Sequence, residues 1–238
     1  MKAFLSITAQ FFVQIRSDLM LAVLFAAPLM MGSVFYFGVP PLEDFLCDYF
    51  EKQAILTPYY PLFDLVLIIM TPLLFTSAGA MVILDEADLG LTRAVSVTPV
   101  GRLGYLGSRI GVPAVLSIVV CVAVTLIFGL SGLSLRILLP LALCSGAFGV
   151  FEALFITSFS GNKVEGLALS KFSGLFMAGI PISVLVPAPA KYLSGVLPTF
   201  WMTEFITGEC SLCILPAFAV VLLWIAVPVR KFKRKILI

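Results

Sequence analysis

Two acidic residues lie inside long apolar stretches of the chain, where an ionisable side chain is costly unless it is paired or faces water. Asp64 stands near one end of its stretch, so its carboxylate can reach the edge of the apolar region. Glu152 stands deeper, about two helical turns from the end of another stretch. We interpret Glu152 either as a substrate or gating contact, or as a structural group that hydrogen-bonds a neighbouring helix or extends toward water.

A charged segment, residues 85–109, separates two uncharged apolar runs. Its acidic residues come first and its arginines follow, and Thr98-Pro99 interrupts it because proline blocks continuation of a helix. Each flanking run is long enough to cross a bilayer, since about 20 apolar residues span the hydrocarbon core. The segment therefore predicts a short element that contacts something outside the lipid.

Residues that carry catalysis or bind metals are scarce. The chain has no histidine, which is the commonest general base and metal ligand. It contains neither a GxxxxGK[ST] phosphate-binding loop nor a GxSxG nucleophile motif. Cys210 and Cys213 form a CxxC with no second pair beside it, and spacing leaves a disulfide of Cys47 open. We expect no catalytic site, no metal site and no cofactor held by this chain itself.

The composition is typical of an integral membrane protein. Hydrophobic residues make up 61% of the 238 residues and charged residues 12%, with a mean hydropathy of +1.14. Soluble proteins are about half apolar and about a quarter charged. The apolar runs lack the alternation of barrel strands, so we predict an all-α fold of six spanning helices in a single domain, 1–238. The predicted spans are 19–37, 60–84, 105–130, 136–159, 167–186 and 210–229.

The basic residues indicate the orientation of these spans. With six spans, 12 of the 15 Lys and Arg residues fall on the side that holds both termini and residues 85–109. Since basic loops stay in the cytoplasm, we predict cytoplasmic termini in the cell membrane. The net charge of +2 is too small to indicate a nucleic-acid partner. The residues on the cytoplasmic side are Lys2, Arg16, Arg93, Arg102, Arg109, Lys163, Lys171, Arg230, Lys231, Lys233, Arg234 and Lys235.

Three segments outside the predicted spans have residue patterns that indicate their structure or location. In residues 1–18, apolar side chains recur at helical spacing opposite polar ones, which predicts an amphipathic helix in the membrane interface; the alternative is an extension of the first span. Residues 39–59 form an acidic outer segment. Residues 187–209 are rich in proline and aromatic residues, which predicts short outer helices or a shielded turn before the last span.

Several motifs together resemble the permeases of type-2 ATP-binding-cassette (ABC) exporters. EADLGLTRAVSVTPVGRLGYLGSRI is similar to the coupling region of that family, although Leu91 separates the glycine and threonine that are usually adjacent. NKVEGLALSK at 162–171 resembles the second cytoplasmic loop, and LPTFW at 197–201 resembles the outer segment before the last span. The resemblance extends over nearly the whole chain, including the six-span count.

The resemblance implies a half-transporter that pairs with a second permease chain in membrane lipid and with a separate ATPase subunit, which would hold ATP and Mg²⁺. It assigns ATPase coupling to residues 85–104, where we expect Glu86 and Arg93 to present charges at the docking surface. The implied coupling residues are Asp85, Glu86, Asp88, Gly90, Thr92, Arg93, Thr98, Pro99 and Arg102. Those of the second cytoplasmic loop are Asn162, Lys163, Glu165 and Gly166.

The function expected from these features is export of a hydrophobic or amphipathic substrate, such as a drug, an antimicrobial peptide or a lipid-like molecule. An alternative is a secondary transporter or channel that uses Glu152 in an intramembrane pathway. A membrane enzyme is disfavoured because the chain lacks histidine and catalytic clusters.

Overall fold

The computed structural model of the chain describes residues 2–90, 101–208 and 212–236, and these residues fold into helices joined by short turns. The α-helices are α1 (Lys2–Ser17), α2 (Leu19–Phe50), α3 (Tyr60–Asp88), α4 (Gly101–Leu106), α5 (Val112–Phe128), α6 (Leu135–Phe159), α7 (Lys163–Phe172), α8 (Gly179–Leu185), α9 (Pro198–Ile206) and α10 (Ile214–Ile236). A π turn (Gly107–Gly111) joins α4 to α5, and 3₁₀ helices span Thr57–Tyr59, Ser173–Ala178 and Ala190–Val196.

The prediction of an all-α membrane protein is confirmed. Within the described ranges, six helical segments are long and apolar enough to cross a bilayer. They are Leu19–Phe50, Thr57–Asp88, Gly104–Phe128, Leu135–Phe159, Lys163–Leu185 and Ile214–Lys231. The short helices expected before the last span are also present, as Ala190–Val196 and α9.

Helices α3 and α6 form the centre of the bundle. In the most apolar window of each, 83% and 67% of the residues are buried, compared with 17% for α2 and for α10. The core between α3 and α6 contains side chains such as Leu73, Leu141 and Phe148. The apolar faces of α2 and α10 are therefore left for lipid or another chain, because a bilayer accepts them without loss.

The first spanning helix is longer than the sequence predicted. We expected it to end near residue 37, before Pro40-Pro41, but α2 continues to Phe50. The helix therefore includes much of the acidic segment 39–59. At 32 residues it is about 48 Å long, which exceeds the hydrocarbon core of about 30 Å. Glu43 stabilises the extension, since its carboxylate accepts the backbone N–H groups of Ile55 and Leu56 on the returning chain at 2.9 and 2.6 Å.

The fifth span is not one continuous α-helix, as residues 167–186 had predicted. It consists of α7, the 3₁₀ segment Ser173–Ala178 and α8. A 3₁₀ segment inside a helix has poorer hydrogen-bond geometry and often marks a hinge. This irregular segment begins at Ser173, beside the carboxylate that the sequence singled out.

Helix α1 is separate from α2, as predicted for residues 1–18. Asp18 caps the start of α2, because its carboxylate accepts the backbone N–H of Met20 at 3.0 Å and ends the preceding helix. Phe11 is fully buried and Ile15 nearly so, which means that the apolar face of α1 packs against the bundle. Its position in the membrane interface stays a prediction.

Candidate functional site

The carboxylate of Glu86, near the end of α3, is the centre of a buried polar cluster with Gln14, Tyr105 and Arg109 (the Glu86 cluster). Arg109 donates from Nη2 to Oε1 at 2.5 Å and from Nε to Oε2 at 3.2 Å. Tyr105 donates its hydroxyl to Oε2 at 2.6 Å, and Gln14 donates to Oε1 at 3.1 Å. The two bonds from Arg109 make this ion pair bidentate. Glu86 and Arg109 are only 5% and 3% exposed, so the pair is shielded from water.

Arg109 also fixes α1 to the rest of the bundle. Its Nη1 donates to the backbone carbonyl of Ile7 at 3.0 Å, and its guanidinium lies over the ring of Phe11 at 5.6 Å from the centroid. Three parts of the chain therefore meet at one side chain: α1, the end of α3 and the π turn that contains Arg109. Because each polar contact is directional, the cluster sets the position of these elements relative to one another.

Lys163 joins the two loops that the sequence analysis predicted, separately, to be cytoplasmic. Its ammonium group donates to Asp18 at 2.9 Å and lies 3.4 Å from a carboxylate oxygen of Asp85. Its backbone N–H donates to Asp88 at 3.1 Å. The hydrogen bond from Lys163 holds the pKa of Asp18 below its usual value. The acidic end of α3 and the start of α7 therefore form one continuous surface.

The other residues expected in the second loop shape the start of α7 and its contact with α3. Asn162 caps α7 by accepting the N–H of Glu165 at 2.9 Å, and Glu165 in turn accepts the N–H of Gly161 at 2.5 Å, a reciprocal capping arrangement. Gly166 allows a close approach of α7 to α3, since a Cβ at this position would overlap the side chain of Leu84. These residues position the start of α7 against the end of α3.

Apart from Glu86, the expected coupling residues fall into three groups. Asp85 and Asp88 lie on the surface just described, and Gly90 adopts a left-handed conformation with a φ of 71° that favours glycine. Arg102 lies in α4, but its side chain is outside the described part of the structure. Thr92, Arg93, Thr98 and Pro99 also lie outside the described residues, as does Cys210.

Glu86 differs from the expectation that it presents its charge at a docking surface. Its carboxylate lies inside the chain because Arg109 and Tyr105, on the next helical segment, enclose it. The coupling role of residues 85–104 stays a prediction. Among the described residues of α3, Asp85 and Asp88 carry the charges that lie nearer the surface at this end.

Glu152 lines a cavity of about 600 Å³ whose walls come from α2, α3, α6 and the start of the fifth span. The walls are mainly leucine and methionine, with the hydroxyl groups of Ser77, Ser170 and Ser173 as the remaining polar contributions. Glu152 is 1% exposed, and its Oε2 has no hydrogen-bond partner among the described residues. Ser173 interacts with the carboxyl group from the 3₁₀ segment.

This lack of a partner separates Glu152 from the other buried acids in the described ranges. Glu43, Asp64, Glu86 and Glu204 each accept at least three hydrogen bonds. Asp64, for instance, caps the turn after α5 by accepting the N–H groups of Leu130 and Ser131 at 2.8 and 2.9 Å. The structural interpretation of Glu152, in which its carboxylate hydrogen-bonds a neighbouring helix, accounts for at most one of its two oxygens.

Sequence reasoning missed Gln14, Asp18 and Tyr105, and it used Arg109 only as an indicator of orientation. One signal was available for part of the Glu86 cluster. Tyr105 and Arg109 are four residues apart, so on a helix their side chains lie on the same face. That spacing predicts a shared contact, but it does not identify Glu86 as the partner.

A comparison with known protein families matches residues 11–229 to the family described as "Fluoroquinolones export permease protein Rv2686c-like". The chain belongs to this family. Membership of the Rv2686c-like family confirms the resemblance to type-2 ABC permeases that the motifs indicated. The matched range includes both the Glu86 cluster and Glu152.

Two similar proteins come from Mycobacterium tuberculosis. They are fluoroquinolones export permease protein Rv2686c of strain H37Rv and fluoroquinolones export permease protein MT2760 of strain CDC 1551. Each is 30% identical to this chain over 152 residues, which is 63% of this chain and 60% of the relative. The match therefore spans less than two thirds of the length of either relative. No solved structure matches the chain.

Proposed function

We propose that this chain is the permease subunit of an ABC exporter that moves an amphipathic organic molecule outward, using ATP hydrolysed by a separate subunit. The observation that supports this most directly is the junction at Lys163. It connects the two loops that resemble the cytoplasmic contact surface of type-2 permeases. A push on this surface would act on both α3 and α7, and these helices also supply walls of the Glu152 cavity. Rocking of packed helices between two arrangements is the kind of change that such a push drives.

The partners proposed for this exporter follow from what the chain lacks. Without a phosphate-binding loop in its sequence, it requires an ATPase subunit that holds ATP and Mg²⁺. A second permease chain, identical or homologous, would cover part of the apolar faces of α2 and α10 and complete a central pathway. Both faces are exposed in the single chain.

The substrate class follows from the cavity and from the named relatives. A cavity with leucine and methionine walls favours an apolar body, and a volume of about 600 Å³ lies within the range of drug-binding sites. The relatives are named as fluoroquinolone exporters, so a fluoroquinolone is the first substrate to test for this chain. We propose a drug-like substrate in preference to a sugar or an inorganic ion.

Drug accumulation in cells tests this proposal. Cells that express this chain together with an ABC ATPase subunit that co-purifies with it should accumulate less fluoroquinolone than cells that express either protein alone. Replacing the lysine in the phosphate-binding loop of the ATPase subunit should abolish this difference in fluoroquinolone accumulation. If the chain lowers accumulation equally without a functional ATPase, the assignment as an ABC exporter subunit is wrong.

The coupling surface is tested by removing basic charges from residues 85–104. The double variant R93A/R102A should weaken ATPase binding or uncouple hydrolysis from export, with membrane insertion intact. R136A is the matched control, because Arg136 is exposed on the predicted opposite side. Normal complex formation and normal export in R93A/R102A would remove these two residues from the coupling role.

A secondary transporter or channel is the alternative that the unpaired Glu152 supports, since intramembrane carboxylates mark ion pathways. Dissipating the proton gradient while ATP is maintained should stop a proton-coupled secondary transporter and leave an ABC exporter active, whereas flux through a channel should depend on neither. The predicted orientation is tested by labelling introduced cysteines in a background in which Cys47, Cys210 and Cys213 are replaced by serine. D48C should react with an impermeant thiol reagent from outside the cell, and D88C should not.

A further inference from the structure

The cavity around Glu152 combines an apolar wall with one acidic group. Among the described residues that line it, Glu152 is the only one with an ionisable side chain. No arginine or lysine from these walls can neutralise the carboxylate, and one of its oxygens has no hydrogen-bond donor. A buried carboxylate in that condition is unfavourable, because burial of a charge requires an opposite charge or hydrogen bonds.

The neighbouring residues do not explain the carboxylate as a structural element. Ser173 interacts with it, but the hydroxyl of Ser173 also donates to the carbonyl of Ser170 at 2.5 Å. The other buried acids in the described ranges each fix a turn, a helix or an ion pair through several bonds. Glu152 fixes no element in this way, and it lines the cavity with one oxygen that keeps acceptor capacity, although that oxygen is covered by its neighbours in this conformation.

An organic cation matches what the cavity offers. Its apolar body would contact the leucine and methionine walls, and its positive charge would supply the partner that Glu152 lacks. An organic anion of the same size would meet a like charge in a poorly hydrated site, which is strongly unfavourable. The cavity therefore selects by charge as well as by apolar surface.

We propose that Glu152 is the recognition site for the positive charge of a hydrophobic organic cation, such as a protonated amine. This inference rests on the proposed function, because it assigns a substrate class to the exporter. It goes further by predicting that charge, rather than one chemical scaffold, is the shared property of the substrates. The serine hydroxyls at Ser77, Ser170 and Ser173 supply additional polar contacts in the same cavity.

The test uses two ions of nearly equal size and opposite charge, tetraphenylphosphonium and tetraphenylborate. Equilibrium binding of each is measured to the full chain in lipid nanodiscs without an ATPase, with empty nanodiscs subtracted. The wild-type chain should bind the phosphonium at least about tenfold more tightly than the borate. E152Q should lose at least about tenfold in phosphonium affinity, whereas its borate affinity should stay the same or rise.

D48N is the matched control, since it removes one carboxylate charge from an exposed position at the far end of α2. It should bind both ions as the wild-type chain does. Equal affinity of the wild-type chain for the two ions would overturn the inference, as would unchanged phosphonium binding in E152Q. The comparison of the two ions on the wild-type chain needs no variant, so equal affinities would overturn the inference even if E152Q fails to fold.

The binding test and the export test examine different claims, so either claim can be refuted without the other. Binding in nanodiscs requires neither ATP nor a partner, so loss of ATP-dependent export would refute the proposed function while the charge preference could still be measured. Export of fluoroquinolone without any charge preference would support the proposed function and refute the role of Glu152.

Discussion

The carboxylates of Glu86 and Glu152 are almost equally buried, and they lie in opposite surroundings. Glu86 accepts hydrogen bonds from Arg109, Tyr105 and Gln14, and it connects three parts of the chain. Glu152 lines an apolar cavity with one oxygen unpartnered among the described residues. Burial alone therefore says little about what an acidic residue does in a membrane protein. The number of partners distinguishes a structural joint from a group that is available to a ligand, because native structures rarely leave buried polar atoms unsatisfied.

The largest effect is expected when Glu86 loses its charge partner. R109M keeps most of the side-chain volume but leaves a buried carboxylate without its cation, which should lower the free energy of unfolding by about 3–5 kcal/mol. Denaturant or thermal unfolding of the purified chain measures the change. R136M, at an exposed arginine, should stay within about 0.5 kcal/mol of the wild-type chain. Equal stability of R109M and R136M would mean that the Glu86 cluster is not a joint.

The same substitution at both acids should have opposite effects on stability. E86Q weakens several charge-assisted hydrogen bonds and should lower the free energy of unfolding by about 1.5–3 kcal/mol. E152Q removes a poorly partnered charge from apolar surroundings, so it should leave that free energy unchanged or raise it. Unfolding of the two variants side by side gives the sign. A comparable loss in E152Q would show that Glu152 is held by partners and has a structural role.

The smallest effect on the free energy of unfolding is expected at the partly exposed pair of Asp18 and Lys163. The pKa of Asp18 is lowered from 3.8 by its hydrogen bond with Lys163, so this stabilisation is present above that pH and is lost as the pH falls through the lowered value. The side chains are 31% and 24% exposed, which limits the contribution to about 1 kcal/mol or less.

Unfolding of wild type and K163M between about pH 6 and about pH 3 measures this contribution. K163M should lose less stability on acidification, because its Asp18 has no lysine to bind. K171M is the control, since Lys171 is exposed at the other end of α7. If K163M and the wild-type chain lose stability in parallel, the pair contributes nothing measurable.

The sequence predicted the membrane fold well because long apolar runs depend on composition alone. It could not predict that α2 passes through Pro40-Pro41, because the stabilising contact comes from Glu43 binding residues of the returning chain. The break at Ser173–Ala178 was missed for a related reason: the residues are apolar enough for either helical form, so packing decides between them.

The candidate site was predicted only in part. Glu152 stood out because a single acid in an apolar run is rare, whatever surrounds it. The partners of Glu86 are distant in sequence, with Arg109 23 residues away and Gln14 72 residues away, so no local pattern could assign them. Asp85, Asp88 and Lys163 were identified in separate loops, and only the folded chain shows that they are in contact.

The 3₁₀ segment Ser173–Ala178 has a geometric consequence for the two ends of the fifth span. Its six residues are about 3 Å longer as a 3₁₀ helix than as an α-helix, and rewinding them would turn α8 by about 120° relative to α7. One end contacts Glu152 through Ser173, and beyond the other end Ser183 of α8 donates to Glu204 at 2.6 Å. A change of winding at the cavity would thus also displace the ion pair of Glu204 and Lys191, beyond the far end of the span. The length and rotation of one short segment therefore link the two ends of the fifth span.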